Sequence, residues 1–429
     1  MIEDGFIEGV SIRLLVRSRL ASVGVAAICV ISLGFYVHAV HSVWRADWLQ
    51  DQRDQPSLEA SASLEPWNAE THWLLGRYFL NGMQDPSHAA AFLNRAVELN
   101  PYDARYWLDL TEAYEIEGSG ADSDKALARA LQAEPTSPTI AWRSANFYLA
   151  RNNADRALPL FRVALQYDPA NTAAALDLCW RATKNITQIA SQALPADPAA
   201  YFALLKILIA QKESAPANEL WSALIERKLA FPVEQSFAYF DYLLETNQVD
   251  QARRVWTDLR KQDDSPANLI RNPGFEADFL NGGFEWRYTK IAPAEVTFDV
   301  SEHHGGARAL RVDFAGPAMA DVGVYEYVPV QPNTAYRLSA FVETLDILTA
   351  SGPRLGVEDA STGKIVATTD EFQDTSRWKQ GTADFVTGPD THLVTIRIVR
   401  TPGNLLIKGT LWLDDVELTP TLAAQGTLP

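Results

Sequence analysis

The heptapeptide VYEYVPV, beginning at Val324, places two phenolic rings two residues apart. Successive side chains of an extended strand point to opposite faces. With Val328 and Val330 directed into a core, Tyr325 and Tyr327 share the other face. Paired rings on an open sheet face can stack on the apolar faces of pyranose rings while nearby polar groups fix the hydroxyls. Trp286 and Tyr288, also two apart, would lengthen that platform. The competing role for an aromatic in a sheet is core or edge packing, and it weighs most on Trp286, Trp378 and Trp412.

Other reactive groupings carry less. No HExxH, GxSxG, Walker A or Rossmann fingerprint occurs. Carboxylates abound in the C-terminal third, but nothing marks two of them as the pair that would flank a glycosidic bond. His303 and His304 are adjacent, a poor arrangement for chelating one metal, and their Gly-rich turn reads as a solvated loop. A formal net charge of -17 leaves no Lys/Arg excess to displace counterions, so nucleic acid is not an expected partner. The two cysteines, Cys29 and Cys179, make no disulfide framework, since the first lies in an apolar run.

The tyrosines need a sheet to hold them, and the sequence supplies one. From Asn268 onward, two-residue alternation marks strands in VTFDVS, ARALRVDF, VGVYEYVPV, AYRLSAFVETL, RLGVED, GTADFVT, HLVTIRIVR and GTLWLDDVEL, separated by Pro, Gly, Asn and Asp. About eight short antiparallel strands predict a β-sandwich, most simply a jelly roll, over residues 265–420. The ordered set NLIRNPGFE, Trp286, HHGGARALRV, VYEYVPVQPNTAYRLSAFV, Trp378 leading to Phe385, and LWLDDVEL resembles a carbohydrate-binding module of the galactose-binding-like superfamily. The resemblance implies a structural Ca²⁺ held by an acidic residue of the opening segment and one near the last strand. Those positions are Glu276 and Asp414, with Asp415 as alternate. The alternative is that these carboxylates hydrogen-bond loop backbone with no metal.

Residues 44–264 carry a different period. Pro66, Pro101, Pro135, Pro169, Pro198, Pro232 and Pro266 are separated by 35, 34, 34, 29, 34 and 34 positions. Such a period predicts stacked helical hairpins, each too small to bury its apolar face alone. NAETHWLLGRYF followed by AAAFLNRAVELNP resembles the tetratricopeptide repeat, with Leu75, Gly76, Phe79, Ala89, Leu93, Ala96 and Pro101 at the small and large positions. The match is good from Trp67 to Pro169 and weaker beyond, and the short unit between Pro169 and Pro198 is expected to distort the stack. A partial hairpin is expected before it. The resemblance implies a groove that receives a protein segment.

Leu20 to Val40 contains no Lys, Arg, Asp or Glu and is long enough to cross a bilayer. Arg13, Arg17 and Arg19 precede it, so a short cytoplasmic segment (1–19), a signal-anchor helix (20–43) and an extracytoplasmic remainder are expected, periplasmic in a Gram-negative cell. A cleaved signal peptide is the rival, though the run exceeds the usual length of such a segment. Residues 421–429 read as a flexible tail. The parts together predict a non-enzymatic, membrane-anchored scaffold whose helical repeats bind a protein and whose sandwich binds a poly- or oligosaccharide, in envelope or exopolysaccharide assembly or export. A pure protein adaptor is the second reading and a divergent glycoside-processing enzyme the third.

Overall fold

The computed structural model describes residues 19–260, 267–291 and 293–421. The expected cytoplasmic segment up to Ser18, the junction at 264–265 and the tail from residue 422 lie outside the described residues.

Helix α1 (Arg19–Gln52) is unbroken over 34 residues. It contains a stretch that is long and apolar enough to cross a membrane, properties that a signal sequence near an N-terminus shares. At 1.5 Å per residue it is about 50 Å long and outruns that stretch. Its last turns pack on α2 (Gln55–Leu64), where Ala46 is buried and its carbonyl accepts a hydrogen bond from Ser61 Oγ at 2.9 Å. The partial hairpin expected ahead of the repeats is thus made from the apolar helix itself.

Further helices follow, with hairpins α3 and α4 (Ala69–Arg77, Pro86–Leu99), α5 and α6 (Ala104–Glu117, Gly120–Ala133), and α7 and α8 (Pro138–Ala150, Ala154–Tyr167). Then come the helices α9 (Thr172–Thr183) and α10 (Ile186–Gln192), and the hairpins α11 and α12 (Pro198–Ala210, Ser214–Glu226) and α13 and α14 (Phe237–Glu245, Val249–Arg260). From Pro66 to Pro232 the recurring prolines fall between helices or in a helix's first turn, where a missing amide costs no helical hydrogen bond, and at α3, α5 and α11 a nearby Asn or Asp caps the helix that follows. Asn68 accepts from the amides of Glu70 and Thr71, and Asp103 and Asp197 do the same for α5 and α11. Within a hairpin, small residues let the helices close. A Cβ at Gly76 would overlap the Leu93 side chain.

The 29-residue repeat is short because α10 has only seven residues. The chain divides there into two compact units, one reaching Lys184 and including Ser191–Pro195, the other holding Asn185–Ala190 and everything from Ala196. The change of periodicity at Asn268 is therefore not a break in compactness, and α11 to α14 belong with the strands. Phe284 supplies the physical reason. Its ring lies 4.8 Å from Phe240 of α13 and 6.3 Å from Trp256 of α14, both edge-on. Gly283, at φ +64, passes so close beneath Trp256 that any side chain would collide with the indole. Arg260 pairs with Glu285 at 2.7 Å, and Arg253 donates to the carbonyl of Val330 at 3.2 Å.

Among the described residues, ten strands build two five-stranded sheets where about eight were expected, the surplus being the short edge strands β1 and β7. They are β1 (Arg287–Tyr288), β2 (Ala294–Asp299), β3 (Ala309–Gly316), β4 (Asp321–Pro329) and β5 (Ala335–Leu348). The rest are β6 (Arg354–Asp359), β7 (Lys364–Thr368), β8 (Asp374–Val386), β9 (Leu393–Val399) and β10 (Ile407–Pro420). One sheet runs β1-β4-β9-β6-β7 and the other β2-β3-β10-β5-β8, all neighbours antiparallel. Leu310, Val312, Val324, Val328, Leu338, Val342, Val357, Ile396 and Leu413 fill the space between them. The opening segment is zipped onto β10. Leu269 donates to Leu418 at 2.9 Å, Val416 donates to Pro273 at 3.0 Å, and the Asn268 side chain bonds the backbone of both stretches.

Candidate functional site

The register of β4 against its neighbours decides what faces outward. Arg287 of β1 stands opposite Tyr325, which stands opposite Arg397 of β9, which in turn faces Gly356 of β6. One row over, Tyr327, Thr395 and Glu358 lie side by side. The two tyrosines are half-buried, with ring centroids 5.4 Å apart and an interplanar angle of 79°. Each ring has a guanidinium over it: Arg287 sits 5.3 Å from the Tyr327 centroid and Arg397 6.0 Å from that of Tyr325.

Both arginines are held by carboxylates. Arg397 pairs with Asp321 and, at 3.1 Å, with Glu358. Arg287, only 8% exposed, donates to Asp241 of α13 at 2.6 Å and to the Gly283 carbonyl at 3.2 Å. Burial, followed by the neighbouring Tyr325, raises the Tyr327 hydroxyl above its ordinary range and keeps it a donor. The result is a cleft of 560 Å³. Tyr325, Tyr327 and Arg287 line it from the sheet, His392 from the turn before β9, and Asp241, Leu244, Glu245 and Asn247 from α13 and the turn after it.

Trp286 and Tyr288 do not extend this platform. Trp286 is 1% exposed and packs on Phe275 with centroids 5.0 Å apart, inside the sandwich. Tyr288 pairs with Val324, so alternation turns it toward the core, where it meets Phe279 at 5.7 Å. The residue between them, Arg287, is the one that reaches the tyrosine face. Trp412 is covered as well, donating to Asp299 at 2.9 Å beneath the Arg311 guanidinium.

Glu276, Asp414 and Asp415 are brought together from opposite ends of the sandwich sequence. The position of a Cβ on Gly274 would lie 3.3 Å from Asp414 Oδ1, 3.6 Å from Asp415 Oδ1 and 3.7 Å from Glu276 Oε1. The fully buried Asp414 accepts from the amides of His304 (2.8 Å), Gly305 (3.0 Å) and Asp415 (2.8 Å), and Glu276 accepts from Ala307 at 2.9 Å. Burial raises the Asp414 carboxyl, and those amides oppose the shift. The two glycines of HHGGA have their explanation here, since a side chain at Gly306, φ +58, would strike the Glu276 carboxylate. Among the described residues no group of three or more His, Cys, Asp or Glu is placed to hold a metal ion as it stands. His304 is not the solvated loop residue expected. It stacks on Phe341 with centroids 3.6 Å apart and shares a 2.6 Å hydrogen bond with Asp415.

Glu326, between the two tyrosines in sequence, points the other way and is fully buried. One oxygen accepts from the Arg271 amide at 2.8 Å while the other has no hydrogen-bond partner. Burial first, with the Glu285 charge adding to it, raises its carboxyl well above the ordinary 4.5. The stability it contributes is therefore fully present below the unfolded value and lost as pH rises through the folded one. Glu326→Gln keeps the shape and removes the ionisation. It is expected to raise the melting temperature at pH 8 by several degrees, on the order of 1–3 kcal/mol, and to leave it nearly unchanged at pH 4. Equal shifts at both pH values in a thermal scan would show that ionisation is not the cause.

Residues 267–403 match the protein family described as "Carbohydrate binding domain". No curated protein matches the chain. Among solved structures, the xylan-binding CBM22-1 domain of Paenibacillus barcinonensis Xyn10C is 16% identical, covering 35% of this chain and 93% of that one at a TM-score of 0.25. TmCBM61, solved with β-1,4-galactotriose, is 17% identical over 36% of this chain and all of that one, at 0.23. PilW, described as a type IV pilus biogenesis factor, is 17% identical over 45% of this chain and 93% of that one, at 0.26. The C-terminal sandwich is a carbohydrate-binding-family domain, and the helical hairpins fit a tetratricopeptide array.

Proposed function

We propose that this protein is a non-enzymatic, membrane-anchored scaffold that binds a saccharide on the Tyr325–Tyr327 face and a protein segment on its helical hairpins, in assembly or export of an envelope polysaccharide. The observation that carries the saccharide part is two outward rings lining one cleft, each beside an ion-paired arginine, in a domain of the carbohydrate-binding family. Rings supply apolar stacking area, and fixed guanidinium and carboxylate groups read hydroxyls. The face also argues for binding over hydrolysis: Asp321 and Glu358 both engage Arg397, and Asp241 engages Arg287, which ties up groups that acid–base work on a glycosidic bond would need free. Continuity of α1 from the apolar stretch into the first hairpin supports anchoring, with the bulk of the chain extracytoplasmic. A panel of immobilised poly- and oligosaccharides probed with the full chain tests the saccharide reading. Retention of none of them would leave the protein-adaptor reading in its place.

The same reading places Ca²⁺ among Glu276, Asp414 and Asp415, whose hard oxygen donors suit that ion and whose chain positions would let it clamp the opening segment to β10. Adding millimolar CaCl₂ to chelator-treated protein is expected to raise the melting temperature of the sandwich by about 5 °C or more, by mass action on the folded state. Asp414→Asn should abolish that response. Identical melting curves with EDTA and with calcium would show that the three carboxylates serve the backbone amides alone.

A further inference from the structure

We propose that the saccharide site continues beyond the tyrosine cleft onto helix α14, so that the last helical hairpin supplies subsites for a longer chain. The proposal rests on the saccharide reading above and deepens it. A second depression, of 380 Å³, lies against the first, lined by Gln248 just ahead of α14 and by Asp250, Gln251 and Arg254 of its first two turns. Asn247 and His392 line both depressions, and both residues are exposed, so the two meet at this pair in the open. The backbone shows why α14 and the His392 turn stay side by side. Arg253 donates to the Val330 carbonyl at 3.2 Å, and the Val330 amide donates to the His392 carbonyl at 3.0 Å. Phe284, held edge-on by Phe240 and Trp256, fixes the same hairpin to the strands.

The two depressions differ in chemistry. The first offers the tyrosine rings, and its guanidinium, on Arg287, is already committed to Asp241. In the second, Gln251 bonds Tyr239 and Gln248 donates to Thr246 Oγ1 at 2.8 Å, which fixes both amides. Its charged groups are free: among the described residues, exposed Asp250 and Arg254 make no side-chain hydrogen bond or ion pair. A guanidinium, a carboxylate and fixed amides are donors and acceptors for sugar hydroxyls, each of which both gives and takes a hydrogen bond. A chain stacked on the tyrosines therefore crosses between Asn247 and His392, and its next residues are held by hydrogen bonds on α14. To this second part the sandwich contributes only His392.

The test is calorimetry on the full chain in detergent, with β-1,4-linked xylo-, cello- and galacto-oligosaccharides from disaccharide to hexasaccharide. Affinity is expected to rise about tenfold or more from the shortest binder to the hexasaccharide. Asp250→Ala combined with Arg254→Ala should remove most of that rise while weakening the shortest binder by less than about threefold. Both positions are exposed and alanine favours a helix, so the melting temperature should hardly move. Tyr325→Ala, by contrast, should weaken every length. A hexasaccharide bound no tighter than the shortest binder would overturn the proposal and show that Asn247 and His392 divide the two depressions. So would a length dependence left intact in the double variant, and in both cases saccharide binding itself would stand. Failure of the unaltered protein to bind any length would instead remove the saccharide reading, and this proposal with it.

Discussion

Replacing Tyr325 and Tyr327 together by alanine is expected to weaken saccharide binding by about a hundredfold. Each ring face that stacks on a pyranose supplies on the order of 1–1.5 kcal/mol, and 1.4 kcal/mol is a factor of ten. The rings pack edge to face, so removing one also loosens the other, and the double variant measures their joint contribution better than the sum of single ones. Fold stability should change far less than binding, since both side chains lie half-buried on the outer face while Val324 and Val328 pack the core. Calorimetry or retention on the immobilised saccharide, beside a melting curve, reads both quantities. A loss below about threefold with an intact fold would move the binding surface elsewhere on the sandwich.

Phe284→Ala should cost about 3–5 kcal/mol, the usual penalty for emptying a buried phenylalanine site. The ring is 3% exposed and bridges α13 and α14 to the strands. Its loss opens a cavity at the seam, so the helical and sheet parts of that unit are expected to melt in two separate steps where the parent melts in one. Far-ultraviolet circular dichroism at the helical and sheet minima would follow the two steps. Coincident loss of both signals in the variant would show that the joint between α14 and the sandwich does not depend on this cluster.

Much of this was legible in one dimension. The spacing of seven prolines marked the hairpins because a packed helical pair repeats its length, and two-residue alternation marked the strands because the pleat repeats every second residue. The same alternation turned Tyr325 and Tyr327 outward, which is where they stand. It misled at Trp286 and Tyr288. Two residues are too few to show which side is buried, and pairing of a two-residue strand with β4 put Arg287 outside and its aromatic neighbours inside.

Local pattern by itself determined the kinds of element, their order and the apolar leading helix, while the resemblance to a carbohydrate-binding module is what implied that Glu276 would meet Asp414 and Asp415. Only the tertiary structure decided that the last helical hairpins belong with the sandwich, that Asp241 reaches across 46 positions to Arg287, and that Glu326 lies buried between two outward tyrosines with an oxygen unpaired. The reason is range. Helix and strand periods are set by neighbours along the backbone, whereas burial and ion pairing between distant positions exist only once the folded chain has placed them within a few ångströms of each other.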